Sequence, residues 1–104
     1  MAAAAPPCPA GAGCLWPMSD FQGTAITVWP NGAFNQCFAI PDRQDALSFW
    51  NRSGATMFVY AQSDCRPDLG YYGVPNEDGT GRLTKISFGY CFDNGVWPGC
   101  PKQD

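Results

Sequence analysis

The six cysteines are the side chains of this 104-residue sequence that are most capable of chemistry. Thiols pair as disulfides in oxidising compartments, or bind metal ions as thiolates. The cysteine number is even, the spacing is irregular, and no Cys-x-x-Cys occurs. In a short chain with twelve glycines and ten prolines, this pattern favours a secreted, disulfide-linked protein over a cytosolic metal protein. The cysteines are Cys8, Cys14, Cys37, Cys65, Cys91 and Cys100.

The sequence contains no histidine. This composition excludes a Ser-His-Asp triad, a Cys-His pair, and any zinc site or general base that requires imidazole. The nine carboxylates are scattered, and no two of them can be assigned acid and base roles. We therefore predict that the protein is not an enzyme.

The charge pattern excludes two further classes of partner. The formal net charge is -3, and the six basic residues form no stripe. Without such a stripe the protein has no surface for phosphate backbones, so we predict that it binds neither nucleic acid nor an anionic membrane.

The first seven residues, Met-Ala-Ala-Ala-Ala-Pro-Pro, form an Ala-rich start that is too short for a signal peptide or a membrane span. Small-residue runs are typical of the region near a signal cleavage site. We expect a mature secreted form with an added start methionine, in which residues 1–7 are disordered.

The elements that must position these side chains are predicted to be strands. Gly and Pro interrupt most stretches before a helical period develops, and short apolar runs end at turn residues. Residues 24–29 and 33–40 are predicted to form a hairpin around a Pro-Asn-Gly turn, and residues 74–81 are predicted to form a loop. The other predicted strands are residues 47–51, 56–60 and 83–92.

About eight short strands separated by turns indicate an all-β sandwich or small barrel. Leu-Ser-Phe at residues 47–49 and Ile-Ser-Phe at residues 86–88 repeat one pattern, which suggests two four-stranded units in tandem. A chain this short buries little core, so disulfides are expected to add stability.

Residues 16–23, Trp-Pro-Met-Ser-Asp-Phe-Gln-Gly, carry two spaced aromatics and a glycine. This spacing resembles the signature of the βγ-crystallin Greek-key motif. There the first aromatic packs against a folded hairpin, and the glycine adopts a backbone conformation that a Cβ would oppose. Ser48 and Ser87 fall where that fold places a serine late in each motif. The resemblance implies a βγ-crystallin-like Greek-key β-sandwich of two four-stranded units.

Residues 8–16, Cys-Pro-Ala-Gly-Ala-Gly-Cys-Leu-Trp, are similar to the start of a family of secreted actinobacterial peptidase inhibitors with this fold. Its members include a streptomycete inhibitor of metalloproteinases. Residues 48–54, followed by Tyr60 and Cys65, also match the order of residues in that family. The resemblance covers residues 8 to 70, and it leaves the tail of about residues 90–104 unexplained.

Fifteen pairings of six cysteines are possible. We predict Cys8 with Cys14 and Cys91 with Cys100, which close short local loops. We also predict Cys37 with Cys65, which would tie the first unit to the second. This last disulfide adjoins the segment to which the resemblance assigns a function.

The resemblance implies that the peptidase-binding loop contains Cys65, Arg66 and Pro67, with the Cys65–Arg66 bond presented to the enzyme. An inhibitor loop held extended and rigid loses little entropy on binding, and both the disulfide and Pro67 would stiffen it. The alternative is a solvated loop behind a structural disulfide. In the second unit, Cys65 and Pro67 stand where the motif has an aromatic and a glycine.

Tyr71 and Tyr72, followed by Gly73, and Trp97 are predicted to lie in loops, where an exposed ring can contact a partner. Tyr71, Tyr72 and Trp97 are therefore candidate secondary contacts, although Trp97 could instead fold back over the end of the barrel. The positions at which this fold binds calcium, residues 44–49 and 83–88, lack the required oxygen ligands. We predict no metal and no cofactor.

Taken together, residues 8–104 are predicted to form a single monomeric domain with a disulfide-closed tail. The leading hypothesis is a secreted inhibitor of a secreted peptidase, with metallopeptidases favoured by the resemblance. One alternative is an antimicrobial or killer-toxin-like protein of the same fold. Another is a carbohydrate- or surface-binding module that uses Trp97 and the two tyrosines.

Overall fold

The computed structural model describes residues 6–41, 45–83, 87–96 and 99–101. These residues form two antiparallel four-stranded sheets, which confirms the all-β prediction. In these ranges the helical segments are short 3-10 turns, and none is long and apolar enough to cross a membrane. The strands are β1 Gly13–Trp16, β2 Ile26–Val28, β3 Phe38–Ala39, β4 Ser48–Asn51, β5 Thr56–Tyr60, β6 Tyr71–Val74, β7 Asp78–Thr80 and β8 Gly89–Asp93.

The two halves of the chain, β1–β4 and β5–β8, exchange one strand each. The first sheet has the order β2-β1-β4-β7 and the second has the order β3-β8-β5-β6. Each sheet therefore combines three strands of one half with the third strand of the other half. Because neither sheet is complete without the other half, the two halves must fold together.

The hairpin predicted for residues 24–29 and 33–40 is wrong. Strand β2 pairs with β1 in the first sheet, whereas β3 pairs with β8 in the second. The Pro-Asn-Gly turn does form, since the Ala33 amide donates to Pro30 O at 2.7 Å. Beyond it, Asn35 has a φ of +61° and its amide donates to Phe92 O, so the chain crosses to the second sheet.

The loop predicted for residues 74–81 contains a strand. Asp-Gly-Thr of β7 has little intrinsic strand preference, yet it pairs with β4 along the open edge of the first sheet. Gly79 allows this approach, because a Cβ there would collide with the Phe49 carbonyl oxygen. Of the strand predicted at residues 83–92, residues 89–92 lie in β8, which continues to Asp93, and residues 84–86 lie outside the described ranges.

The main core lies between the two sheets. Side chains alternate along each strand, so Leu15 and Phe49 of the first sheet meet Met57, Val59 and Phe92 of the second. These five side chains are almost fully buried. This packing holds the two sheets face to face.

Each outer sheet face carries a smaller cluster built on a disulfide. On the first sheet, the Cys8–Cys14 pair packs with Trp16. On the second, the Cys91–Cys100 pair packs with Tyr60. The third disulfide joins Cys37 to Cys65, so the structure contains the three pairs expected from the sequence.

Of the C-terminal tail that the resemblance did not explain, residues 90–93 belong to β8, and residues 99–101 lie against the outer face of the second sheet. The Tyr60 hydroxyl donates to Pro101 O. The buried Asp93 carboxylate accepts from the Gly95 amide at 2.7 Å and the Cys100 amide at 3.1 Å. These bonds and the Cys91–Cys100 disulfide hold residues 99–101 over Tyr60.

Candidate functional site

The loop that carries the predicted site residues is the β5–β6 loop, residues 61–70. It follows Tyr60, the last residue of β5, and it ends before β6. The Ala61 amide donates to Gly70 O at 3.1 Å and closes the loop at its base. In the β5–β8 and β5–β6 pairings, Tyr60 lies opposite Gly89 and Tyr71, so three strand ends support the loop.

Cys65 anchors the centre of this loop. Its side chain is buried in the disulfide with Cys37, and its amide donates to Gln62 O at 3.1 Å. The backbone of Cys65 is left-handed, with a φ of +57°. Gly89 lies beneath: a Cβ there would stand 2.6 Å from Gln62 O and 3.3 Å from Cys65 Sγ. Glycine at the start of β8 therefore lets the loop pack directly on the sheet.

Arg66 and the turn that follows it form the exposed part of the loop. Arg66 has an extended backbone (φ -76°, ψ 114°), and Pro67–Leu69 forms a 3-10 turn. The Leu69 amide donates to Arg66 O at 3.4 Å, and the Gly70 amide donates to Pro67 O at 3.3 Å. The expected extended loop is thus extended at Arg66, but it is folded at Cys65 and in the turn.

The Arg66 guanidinium lies 2.9 Å from the Asp68 carboxylate, and about half of each side chain is exposed. An ion pair of this kind in water contributes about 0–1 kcal/mol, so it restrains Arg66 only weakly. A partner that offers a carboxylate or carbonyl oxygen can therefore engage the guanidinium at little cost.

The loop predicted at Tyr71 and Tyr72 is wrong: both lie in β6, because they pair with Tyr60 and Val59 of β5. The two tyrosines lie on opposite faces of this strand and differ in accessibility. Tyr71 is half-buried on the outer face, with its ring 5.9 Å from those of both Phe58 and Tyr60. Tyr72 is 48% exposed, and its ring meets Phe49 edge-on. Tyr72 is therefore the more available contact. Trp97 lies outside the described residues.

Two exposed apolar side chains, one in the loop and one beside it, are not among the site residues predicted from the sequence. Leu69, in the 3-10 turn, is 37% exposed, and Phe88, just before β8, is 39% exposed. Nothing in the local pattern marks them, because their exposure depends on which strand ends meet there. One cleft beside the loop is lined by Ala39, Ile40, Gln62, Ser63 and Phe88. A second cleft includes Ala61, Gly70, Tyr72, Leu83 and Ser87.

The buried tyrosine below the loop is held neutral. Burial, with smaller contributions from Tyr71 and Asp93, raises the pKa of Tyr60 far above its ordinary value of 10.0. The neutral hydroxyl donates to the tail, so it supplies no anion to a partner. Among the described residues, no group of three or more His, Cys, Asp or Glu side chains is placed to hold a metal ion. Residue 44 and residues 84–86 of the two candidate calcium segments lie outside them.

Comparison with known proteins bears on the same segment. The model of peptidase inhibitor family I36 matches residues 1–72 of the 104-residue chain. The chain belongs to peptidase inhibitor family I36. No curated protein and no solved structure matches it. The match to family I36 includes the whole β5–β6 loop and ends at Tyr72, so the loop belongs to the part that the family defines. The predicted peptidase-inhibitor class is thereby confirmed at the level of the family.

Proposed function

We propose that the protein is a secreted, monomeric peptidase inhibitor without enzymatic activity, and that its β5–β6 loop binds the enzyme. The observation that carries this proposal is the fixed shape of the loop within the segment matched to family I36. The loop is held by the Cys37–Cys65 disulfide, the closure at Gly70 and the 3-10 turn. Secretion is supported by the three disulfides, which persist in oxidising compartments.

Pre-ordering is the physical basis of inhibition. Association costs entropy whenever a loop or a side chain is immobilised, so a loop already fixed in the free protein binds more tightly. Cys65 is the buried anchor, whereas Arg66 and Tyr72 are exposed. Arginine and tyrosine are residue types that often dominate binding energy at protein interfaces. The enzyme would contact Arg66, Pro67 and Leu69 first, with Tyr72 at the margin.

A metallopeptidase is the proposed target because of the resemblance of residues 8–16 and 48–65 to inhibitors of that class. An inhibition panel of a thermolysin-like, a subtilisin-like and a papain-like peptidase tests this choice. We expect inhibition of the thermolysin-like enzyme. Arg66→Ala and Leu69→Asp should each raise the inhibition constant at least about tenfold, which corresponds to about 1.4 kcal/mol.

The matched control is Val96→Asp. Val96 is an exposed apolar residue, 60% accessible, that follows the opposite end of β8 from the loop. The Val96→Asp substitution should leave the inhibition constant unchanged, and far-UV circular dichroism should show that all variants fold. If the wild type inhibits no peptidase, or if the loop variants behave as the control does, the proposal fails. Growth inhibition of bacteria or fungi, or binding to a glycan array, would then favour the alternative functions.

A further inference from the structure

The first half of the chain contains a counterpart of the β5–β6 loop. The β1–β2 loop, residues 17–25, follows Trp16 at the end of β1, as the β5–β6 loop follows Tyr60. At the same distance beyond these aromatics, Phe21 and Cys65 both have left-handed backbones, with φ values of +60° and +57°. Both loops thus reverse direction at a residue whose side chain is packed against the protein. This residue is the aromatic Phe21 in one loop and the disulfide-bonded Cys65 in the other.

The β1–β2 loop is also held by hydrogen bonds and by packing. The buried Ser48 hydroxyl donates to Met18 O at 2.7 Å and accepts from the Phe21 amide at 3.0 Å. The Asp20 amide donates to Gly81 O at 2.6 Å. The Phe21 ring packs edge-on against Trp16, with centroids 5.2 Å apart. The backbone on both sides of Met18 is therefore held by the fold.

Met18 is the side chain that this rigid loop displays. It is 57% exposed, and its backbone is extended (φ -122°, ψ 162°). Asp20 beside it is paired with Arg82 at 3.6 Å. The β5–β6 loop likewise displays Leu69 beside an Arg–Asp pair. A single exposed methionine is ordinary on a protein surface. The two side chains lie at different positions in their loops, but each loop presents one exposed apolar side chain on a backbone held by hydrogen bonds, and this combination points to binding.

We infer that the β1–β2 loop is a second peptidase-binding element, which places Met18 in the specificity pocket of a peptidase that accepts long apolar side chains. A hydrophobic slot of this kind is the specificity pocket of chymotrypsin-like enzymes. The inference rests on the proposed inhibitory function but concerns a different loop on the other sheet, so each can fail without the other.

The hydrogen bond from Ser48 determines what happens to the bound loop. Acyl transfer requires the carbonyl oxygen to turn toward the oxyanion donors of the enzyme. The Met18 carbonyl oxygen is held toward the protein by the Ser48 hydroxyl, so it cannot reach those donors while the loop keeps its shape. The side chain fills the pocket, and the Met18–Ser19 bond stays intact.

The test uses the whole protein with a chymotrypsin-like and a subtilisin-like peptidase. The wild type should inhibit at least one of them, and Met18→Asp should raise that inhibition constant at least tenfold. Met18→Leu and the control Val96→Asp should leave it within about twofold of the wild type. Because Met18 is exposed, unchanged melting temperatures should show that the variants fold.

Mass spectrometry after incubation should find the Met18–Ser19 bond uncut. Three results would overturn the inference: no inhibition of either serine peptidase, an unchanged inhibition constant for Met18→Asp, or cleavage at Met18–Ser19 with loss of inhibition. If Arg66→Ala removes the inhibition of the serine peptidase while Met18→Asp does not, the enzyme binds at the β5–β6 loop. The proposed function then stands without a second binding loop.

Discussion

Single residues determine how the two loops are held. Three residues of the motif described for the first half, Trp16, Gly23 and Ser48, hold the β1–β2 loop. Trp16 packs against Phe21, Gly23 has a φ of +94°, and the Ser48 hydroxyl bonds the loop backbone. The short spacing of Trp16, Phe21 and Gly23 can be read from the sequence, whereas the bonds of Ser48 to Met18 and Phe21 span 30 and 27 residues and depend on the tertiary fold. In the sequence, Cys65 is recognisable only as a departure from the motif, which has an aromatic at that position. The structure shows that Cys65 is the counterpart of Phe21.

Tyr60 gives the stability a pH dependence at the alkaline end. Burial raises the pKa of Tyr60 in the folded protein, with smaller contributions from Tyr71 and Asp93, and burial also raises the pKa of Tyr90. In the unfolded chain both phenols lose their protons near pH 10. Above that pH the folded state binds more protons than the unfolded state does, so the free energy of unfolding falls as pH rises.

Urea unfolding measures the free energy of unfolding. We expect the contribution of these two tyrosines to it to stay nearly constant between pH 7 and pH 9, and to decline above about pH 10. Tyr60→Phe should make that decline shallower, because it removes one of the two groups. Absorbance near 295 nm should show part of the tyrosine titration delayed until unfolding. A decline of equal slope in the wild type and in Tyr60→Phe would contradict this assignment.

At the scale of elements, the local sequence pattern predicted the strands whose formation depends on local sequence. Strand β5, Thr56–Tyr60, has the predicted bounds because its β-branched and aromatic residues alternate between core and outer face. The hairpin at residues 24–40 failed because the turn forms but the strands on either side of it belong to different sheets. Strand β7 was missed because its pairing with β4, far away in sequence, produces it.

At the candidate site too, some features are predictable from the sequence and others depend on tertiary packing. The resemblance placed Cys65, Arg66 and Pro67 in one loop, and they do lie in the loop between β5 and β6. The folding of that loop onto Gly89 comes from contact between distant segments, as does the exposure of Leu69 and Phe88. The resemblance therefore located the loop, and tertiary packing decided which side chains in and beside it reach solvent.

The contact between the β5–β6 loop and β8 is testable at Gly89. Gly89→Ala would place a methyl group 2.6 Å from Gln62 O, so the loop must move away from the sheet. Overpacking of this kind costs about 1–3 kcal/mol of unfolding free energy. We expect that loss in urea unfolding, together with weaker inhibition by the β5–β6 loop.

Gly81→Ala is the control for this change. A Cβ at Gly81 would meet the exposed Asp20 carboxylate at 3.3 Å as its nearest neighbour, and that side chain can move aside. Its unfolding free energy should stay within about 0.5 kcal/mol of the wild type. Equal effects of the two substitutions would show that close packing of the loop on β8 does not contribute to its position.

At the scale of the whole molecule, the three disulfides have different structural roles. The pairs Cys8–Cys14 and Cys91–Cys100 are local and lie against the outer sheet faces. The pair Cys37–Cys65 joins the two halves of the chain and anchors the β5–β6 loop. Since strand exchange already binds the halves together, this disulfide is expected to matter more for the shape of the loop than for the survival of the fold.

Paired serine substitutions separate these two effects. In the chain-entropy model, a sequence separation of 28 residues makes Cys37–Cys65 worth about 3.6 kcal/mol, and a separation of 9 makes Cys91–Cys100 worth about 2.6 kcal/mol. Both double variants should therefore unfold at lower urea concentrations, by comparable amounts. Only the Cys37→Ser and Cys65→Ser protein should lose peptidase inhibition when assayed where both are folded, because only its loop is released. If both variants inhibit equally well, the anchored loop is not the binding element.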